Sequence, residues 1–285
     1  MRRIIFFTAV TVALIFAATY GQSQSKTTGG DTPPILTPSR IGEFVNPATY
    51  EELEKSGEDF DETYMYRSDP NGKYYHFYSF LSDGDSQWDA YCGYEEKFTA
   101  TSTLAPSKNV RYDAANLNND RKNHGGNRAV TWCEGAEGYG IGERVNMRVR
   151  TRAVYKGNES EIRFYALMIV NGYAKNAATW KNNARVKILR LYVGDKHWCD
   201  LHLKDIIKPQ IFEFPKDLQI YPAKSGKVIP EKGAFSKQAQ YYPDELSGSV
   251  YQTDLSFEIV EVYPGEKYED TCITGIALNT AGGIY

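Results

Sequence analysis

The 285-residue sequence predicts an all-β protein, a β-sandwich or jelly roll that carries a small N-terminal α+β module. Three observations predict it. Tyr is unusually common, at 22 residues, in an aromatic- and turn-rich composition that suits sheet better than helix. From Phe98 onward, short stretches alternate apolar and polar side chains with turn residues between them. No helical period of useful length interrupts that pattern.

The chain opens with Arg2-Arg3, an apolar run over 4–18, and Thr19-Tyr20-Gly21-Gln22, the order of charged, apolar and small-residue regions in a secretory leader. Residues 1–21 are expected to be a signal peptide cleaved after Gly21. The apolar core, about 15 residues long, is short of the ~20 that span hydrocarbon. No cysteine lies near its end, so lipid attachment is not indicated. The expectation is an exported protein, secreted or periplasmic, with no integral membrane span after cleavage. Losing Arg2 and Arg3 takes the formal net charge from -3 to -5. That argues against nucleic acid as a partner, because phosphate binding needs clustered Lys and Arg.

Residues 22–40, rich in Ser, Thr, Gly and Pro, read as a flexible lead-in. Residues 41–95 read as a small module of unknown type. Thr49-Tyr50-Glu51-Glu52 resembles a capping box and predicts a helix over 49–56, closed by Gly57. Asp69-Pro70-Asn71-Gly72 predicts a turn between Tyr64-Met65-Tyr66 and the aromatic run 74–80, giving a hairpin whose rings pack on each other.

The strands follow in order. Val145, Met147 and Val149 alternate with polar neighbours, and 163–170 is a mostly apolar strand running into Asn171-Gly172, which reads as a tight hairpin turn. Residues 186–193 form another strand. Leu201 with Leu203, Phe212 with Phe214, the alternating Leu255, Phe257 and Ile259, and 273–278 complete the set. There is no internal repeat.

The chain offers little catalytic chemistry. Gly138-Tyr139-Gly140-Ile141-Gly142 leads into a strand, whereas a dinucleotide site needs a helix after its glycines. These glycines are better read as permitting a tight turn or close approach of backbone. His197, Cys199 and His202 resemble metal ligands, but strand alternation puts His197 and Cys199 on one face and His202 on the other. His76 and His124 have no nucleophile beside them. No nucleophile elbow or P-loop is present. No catalytic residue, cofactor or metal is therefore expected. A pair of carboxylates meeting in space, from a set including Glu134, Glu143, Glu261, Glu266, Glu269 and Asp270, is the remaining enzymatic possibility. Cys92, Cys133, Cys199 and Cys272 allow three pairings if all are bridged, and buried free thiols are the alternative.

Eight ordered blocks carry a specific resemblance. They are Ala100-Thr101-Ser102-Thr103-Leu104-Ala105-Pro106; Tyr112-x-Ala114-x-Asn116-Leu117; Ala129-Val130-Thr131-Trp132-Cys133-Glu134-Gly135; and Gly138-Tyr139-Gly140-Ile141-Gly142-Glu143. Then come Ile169-Val170-Asn171-Gly172-Tyr173-Ala174-Lys175; Lys181-Asn182-Asn183-Ala184-Arg185-Val186-Lys187; Leu201-x-Leu203-Lys204-Asp205; and Val262-Tyr263-Pro264-Gly265-x-Lys267-Tyr268-Glu269-Asp270-Thr271-Cys272-Ile273. Over about 98–278 the chain resembles the NAD glycohydrolase translocation F5/8 type C domain, a family of exported bacterial modules. The resemblance implies a discoidin-like jelly-roll β-sandwich used for glycan or surface attachment. In the toxin that names the family, this domain serves delivery while a separate domain splits NAD. Only about 75 mature residues precede it here, too few for that catalytic domain, so the fold is carried over and the activity is not. Ala184 departs from the family pattern, in which Asn-Asn runs directly into Arg-Val-Lys, and such an insertion can bulge a strand. Residues 221–250 also look longer and looser than the pattern requires. Cys133 and Cys272 both fall in β-like family blocks, which suggests a disulfide or close thiol pair.

The resemblance makes the chain an exported, non-catalytic binding module whose partner is a glycan or a cell-surface or envelope component, held by loops at one end of the sandwich. Candidate contact residues are Glu134, Asn171, Tyr173, Trp180, Asn182, Asn183 and Arg185. The alternatives are a protein–protein or envelope-assembly module using the aromatic hairpin, and a carboxylate-based hydrolase.

Overall fold

The computed structural model describes residues 32–45, 64–66, 94–107, 110–117, 131–152, 162–230 and 249–281. The expected leader, the helix over 49–56, the hairpin turn with its second strand, Cys92, His76 and His124 lie outside the described residues. In chain order the strands are β1 (Ile35–Leu36), β2 (Arg40–Ile41), β3 (Glu43–Val45), β4 (Tyr64–Tyr66), β5 (Tyr94–Ala100), β6 (Trp132–Cys133), β7 (Arg144–Arg152), β8 (Arg163–Asn171), β9 (Ala184–Val193), β10 (Lys196–His202), β11 (Pro209–Glu213), β12 (Lys227–Ile229), β13 (Val250–Tyr263) and β14 (Thr271–Ala281). Two short helices, α1 (Ala177–Asn182) and α2 (Pro222–Ser225), lie between strands.

The main sheet follows the order β2-β11-β8-β14-β9-β13-β7-β5. β9 is where it divides. Its first two residues pair with β14, and Ile188 to Val193 pair with β10. The chain thereby splits into a layer of β5, β7, β13, β9 and β10 and a layer of β11, β8, β14 and β6. Both layers feed one core: Phe98, Val145, Met147, Leu189, Leu191, Phe257 and Ile259 from the first, and Trp132, Leu167, Ile169, Phe212, Ile276 and Leu278 from the second. Each such side chain, fully buried, contributes roughly 1.5–3 kcal/mol.

The layers differ on their outer faces. β7 and the 253–259 stretch of β13 alternate, with Asn146, Arg148, Asp254, Ser256 and Glu258 outward. β8 does not, because Ala166, Met168 and Val170, with Ile211 of β11 and Ala277 of β14, form a second buried apolar cluster on its opposite face. A strand buried on both sides reads as a continuous apolar run. That explains the unbroken 163–170 stretch.

Three expectations need correction. The end of the lead-in is part of the sheet: β1 pairs with β10, and β2 with β11. Asn171-Gly172 is not a hairpin turn, since β8 pairs with β11 and β14 and the chain leaves Gly172, at φ +75°, for α1. Tyr64–Tyr66 pairs in parallel with Glu43–Val45, and its expected hairpin partner over 74–80 lies outside the described residues. Lastly, a bulge between His197 and Cys199 resets the alternation. Cys199 is therefore in the core, where burial pushes its thiol up to about 12, while His197 faces outward and shares Asp200 Oδ1 at 2.8 Å.

Ala184 opens β9 in register and is fully buried, so no bulge forms there. Part of the 221–250 stretch is also ordered onto the sheet, as α2 followed by β12 pairing with β13.

Candidate functional site

Three loops meet where β14 begins. They are 134–142, which leads into β7; 172–183, which contains α1; and 264–270, between β13 and β14. Their common anchor is Thr271-Cys272. Glu134 N–H donates to Thr271 O (3.1 Å), the Thr271 hydroxyl to Tyr139 O (2.8 Å), and Gly172 N–H to Cys272 O (3.0 Å). Cys133 and Cys272, opposite each other in the β6–β14 pair, form a disulfide, and Cys199 is free.

The residues expected to bind a ligand are all brought to this end, but most form its framework. Glu134 is fully buried, its Oε1 accepting from Thr271 N–H (3.1 Å) and its Oε2 from Ala136 N–H (2.7 Å). Burial raises its pKa, against those two hydrogen bonds. It fits only because residue 140 is glycine: at φ +64° a Cβ there would lie 2.4 Å from the Glu134 side chain. Asn171, also buried, donates to Val186 O (2.6 Å) and accepts from Val186 N–H (2.9 Å), so its amide stands in for a strand residue between β8 and β9.

Arg185 ties three segments together. Its Nε and Nη2 make a two-point pair with Asp205 (2.9 and 2.8 Å), and its Nη1 donates to Asn183 O and Pro264 O, both at 3.0 Å. Trp180 lies under this guanidinium, 4.6 Å from the ring centre, and donates from Nε1 to Asn171 O (3.1 Å). α1 exists because Asn176 and Thr179 form a capping box, and Asn183 closes it by donating from Nδ2 to Thr179 O (2.8 Å). Asn182 acts through its carbonyl, which accepts from the N–H groups of Lys267 (3.1 Å) and Tyr268 (2.8 Å). Tyr173 is buried against the disulfide, its ring edge-on to Tyr112 at 6.0 Å. In this arrangement Glu134, Asn171, Tyr173, Asn183 and Arg185 present little to solvent.

What the framework holds outward is the 264–270 loop. Tyr268 is 44% exposed, with the Lys267 ammonium 5.0 Å from its ring centre. Half-buried Asp270 and Tyr112 lie nearby: burial raises the pKa of each, and the Asp270 charge adds to the rise at Tyr112. The sequence reading passed over Lys267, Tyr268 and Tyr112 as contact residues, although all three stand in the family-like blocks.

Chemically this end can hold a ligand better than transform one. A carboxylate whose two oxygens are both committed to backbone N–H groups, as in Glu134, is poorly placed to act as acid, base or nucleophile. A partly exposed tyrosine ring beside an ammonium and a carboxylate can stack on a sugar face and bond its hydroxyls. Among the described residues, no group of three or more His, Cys, Asp or Glu could hold a metal ion. No described helix is long and apolar enough to cross a membrane.

A family model described as NAD glycohydrolase translocation F5/8 type C domain matches residues 90–279. No curated protein matches the chain.

Proposed function

We infer the function from the family: the chain belongs to the NAD glycohydrolase translocation F5/8 type C domain family. That is a translocation module rather than a catalytic one. On our reading the protein is exported and attaches to a glycan at a cell surface through the loop end of the sandwich, with Tyr268, Lys267, Asp270 and Tyr112 as contacts. The observation that carries this reading is the contrast between base and rim. The base, from Glu134 to Arg185, is committed to internal hydrogen bonds and a disulfide, while Tyr268 stands outward on it. Such pre-organisation reduces the ordering cost of binding. The disulfide also favours export, since such bridges persist in oxidising compartments.

A glycan array probed with the mature chain tests the reading. We expect reproducible binding to a defined sugar set, weakened at least tenfold by Tyr268→Ala. Absence of any sugar signal would favour a protein partner instead.

A further inference from the structure

We propose that residues 34–42 are an exchangeable strap, and that the partner with which they exchange is a second copy of this chain, giving a strap-swapped dimer.

The strap lies along one edge of each layer. β10 borders the first layer and β11 the second, and among the described residues the strand outside each comes from the lead-in. β1 runs parallel to β10, with Ile35 beside Asp200 and Leu36 beside Leu201, and β2 runs antiparallel to β11, with Arg40 opposite Ile211 and Ile41 opposite Gln210. Backbone bonds fix it along its length: Asp200 N–H donates to Pro34 O (2.9 Å), Ser39 N–H to Ile211 O (2.8 Å) and Gly42 N–H to Pro209 O (2.8 Å). Leu36 packs against the main core, the Ser39 hydroxyl donates to Ile211 O (3.1 Å), and Arg40 meets Glu213 at 3.1 Å. Pro33, Pro34 and Pro38 restrict the free segment to few conformations, which lowers the ordering cost of docking.

The domain holds this strap as it would hold a peptide. The family match begins at residue 90, so the strap completes a domain from outside its bounds. It is also on a long tether. Even the stretch 67–93, between β4 and β5, reaches up to roughly 90 Å at ~3.4 Å per residue, far enough to serve a neighbouring molecule. The edge beneath needs a cover. An unpaired edge is a template for another chain unless charge or a covering segment blunts it. β5, at the end of the main sheet, carries Glu95, Glu96 and Lys97, whereas Pro209 to Phe212 of β11 are uncharged and buried. Every copy carries both the strap and the seam that receives it, so exchange makes a closed dimer with no new surface. The tether holds the strap at an effective concentration on the order of 1 mM or below, and exchange competes once the protein itself is that concentrated.

A charge swap across the Arg40–Glu213 pair tests the proposal. Both side chains are partly exposed, so Arg40→Glu and Glu213→Arg leave the core intact, and melting curves check that each variant folds. In either variant alone, a strap docked on its own chain meets a like charge. In an equimolar mixture each strap meets the opposite charge on the other variant. Sedimentation equilibrium at about 1 mM protein should show the mixture associating at least about threefold more tightly than either variant alone. Excess synthetic peptide 33–43 should return that dimer to monomer. A mixture no tighter than its components, or a dimer that the peptide leaves intact, overturns the proposal. Should a variant misfold, the wild-type chain carries the test: dimer reversed by the peptide supports exchange, and a monomer at that concentration overturns it.

Discussion

Replacing Cys133 and Cys272 together by alanine removes the bridge that joins β6 to β14, and its cost can be worked from the chain. The two cysteines are 139 residues apart. The loop-closure entropy that the bridge takes from the unfolded chain corresponds to about 5 kcal/mol at 25 °C, and removal of native disulfides typically costs 2–5 kcal/mol. In a domain of this size each kcal/mol moves the melting temperature by roughly 2–4 °C, so a fall of about 10–20 °C is expected. The effect should reach the loop end first, because Glu134 and Thr271 adjoin the bridged residues and hold the three loops together. Scanning calorimetry on the oxidised protein and the double variant measures the fall, and hydrogen exchange shows whether the 134–142 and 264–270 amides lose protection first. A melting temperature unchanged within about 2 °C would refute the reasoning, as would thiol labelling of both residues in the protein purified under oxidising conditions.

Further outcomes follow from the same framework. Gly140→Ala forces a side chain into a left-handed conformation and onto Glu134, and should cost at least about 1–2 kcal/mol, read by urea unfolding. Arg185→Lys keeps the charge but loses the two-point geometry with Asp205 and at least one carbonyl bond, a loss of about 2–4 kcal/mol seen as an earlier urea midpoint. The pH dependence has two limbs. Glu134 and Asp270 have raised pKa values when folded, so they bind protons more tightly than in the unfolded chain, and stability should decline as pH rises above their ordinary values of 4.5 and 3.8. Glu134→Gln should flatten that limb in urea titrations across pH. Burial pushes Asp200 upward, but its bonds to Arg190 and His197 outweigh this and hold its pKa low. Its contribution is present above 3.8 and lost as pH falls, a limb that Asp200→Asn should remove.

The strands of the first layer were legible in the sequence because each has one wet and one dry face, as in Val145, Met147 and Val149 of β7. β8 was legible as a strand but not its place between β11 and β14, since a run buried on both faces carries no record of its neighbours. The bulge at His197 and Cys199 adds one residue without an unusual residue type to mark it, and so the two side chains were assigned to one face. At the loop end the right positions stood out for a different reason. Asn171, Asn183 and Arg185 look like binding residues because they carry several hydrogen-bonding groups, and the fold uses those groups internally. Which polar residues face inward depends on contacts between segments far apart in the chain, such as Arg185 with Pro264, and spacing alone does not encode them.

The central claim is that the loop end is where this protein attaches to a glycan, and the affinity of Tyr268→Ala tests it most directly. Calorimetric titration with the strongest array sugar, on wild type and on a Tyr268→Ala variant of unchanged melting temperature, should show at least a tenfold weaker affinity, about 1.4 kcal/mol. Equal affinity in the two proteins would contradict the account.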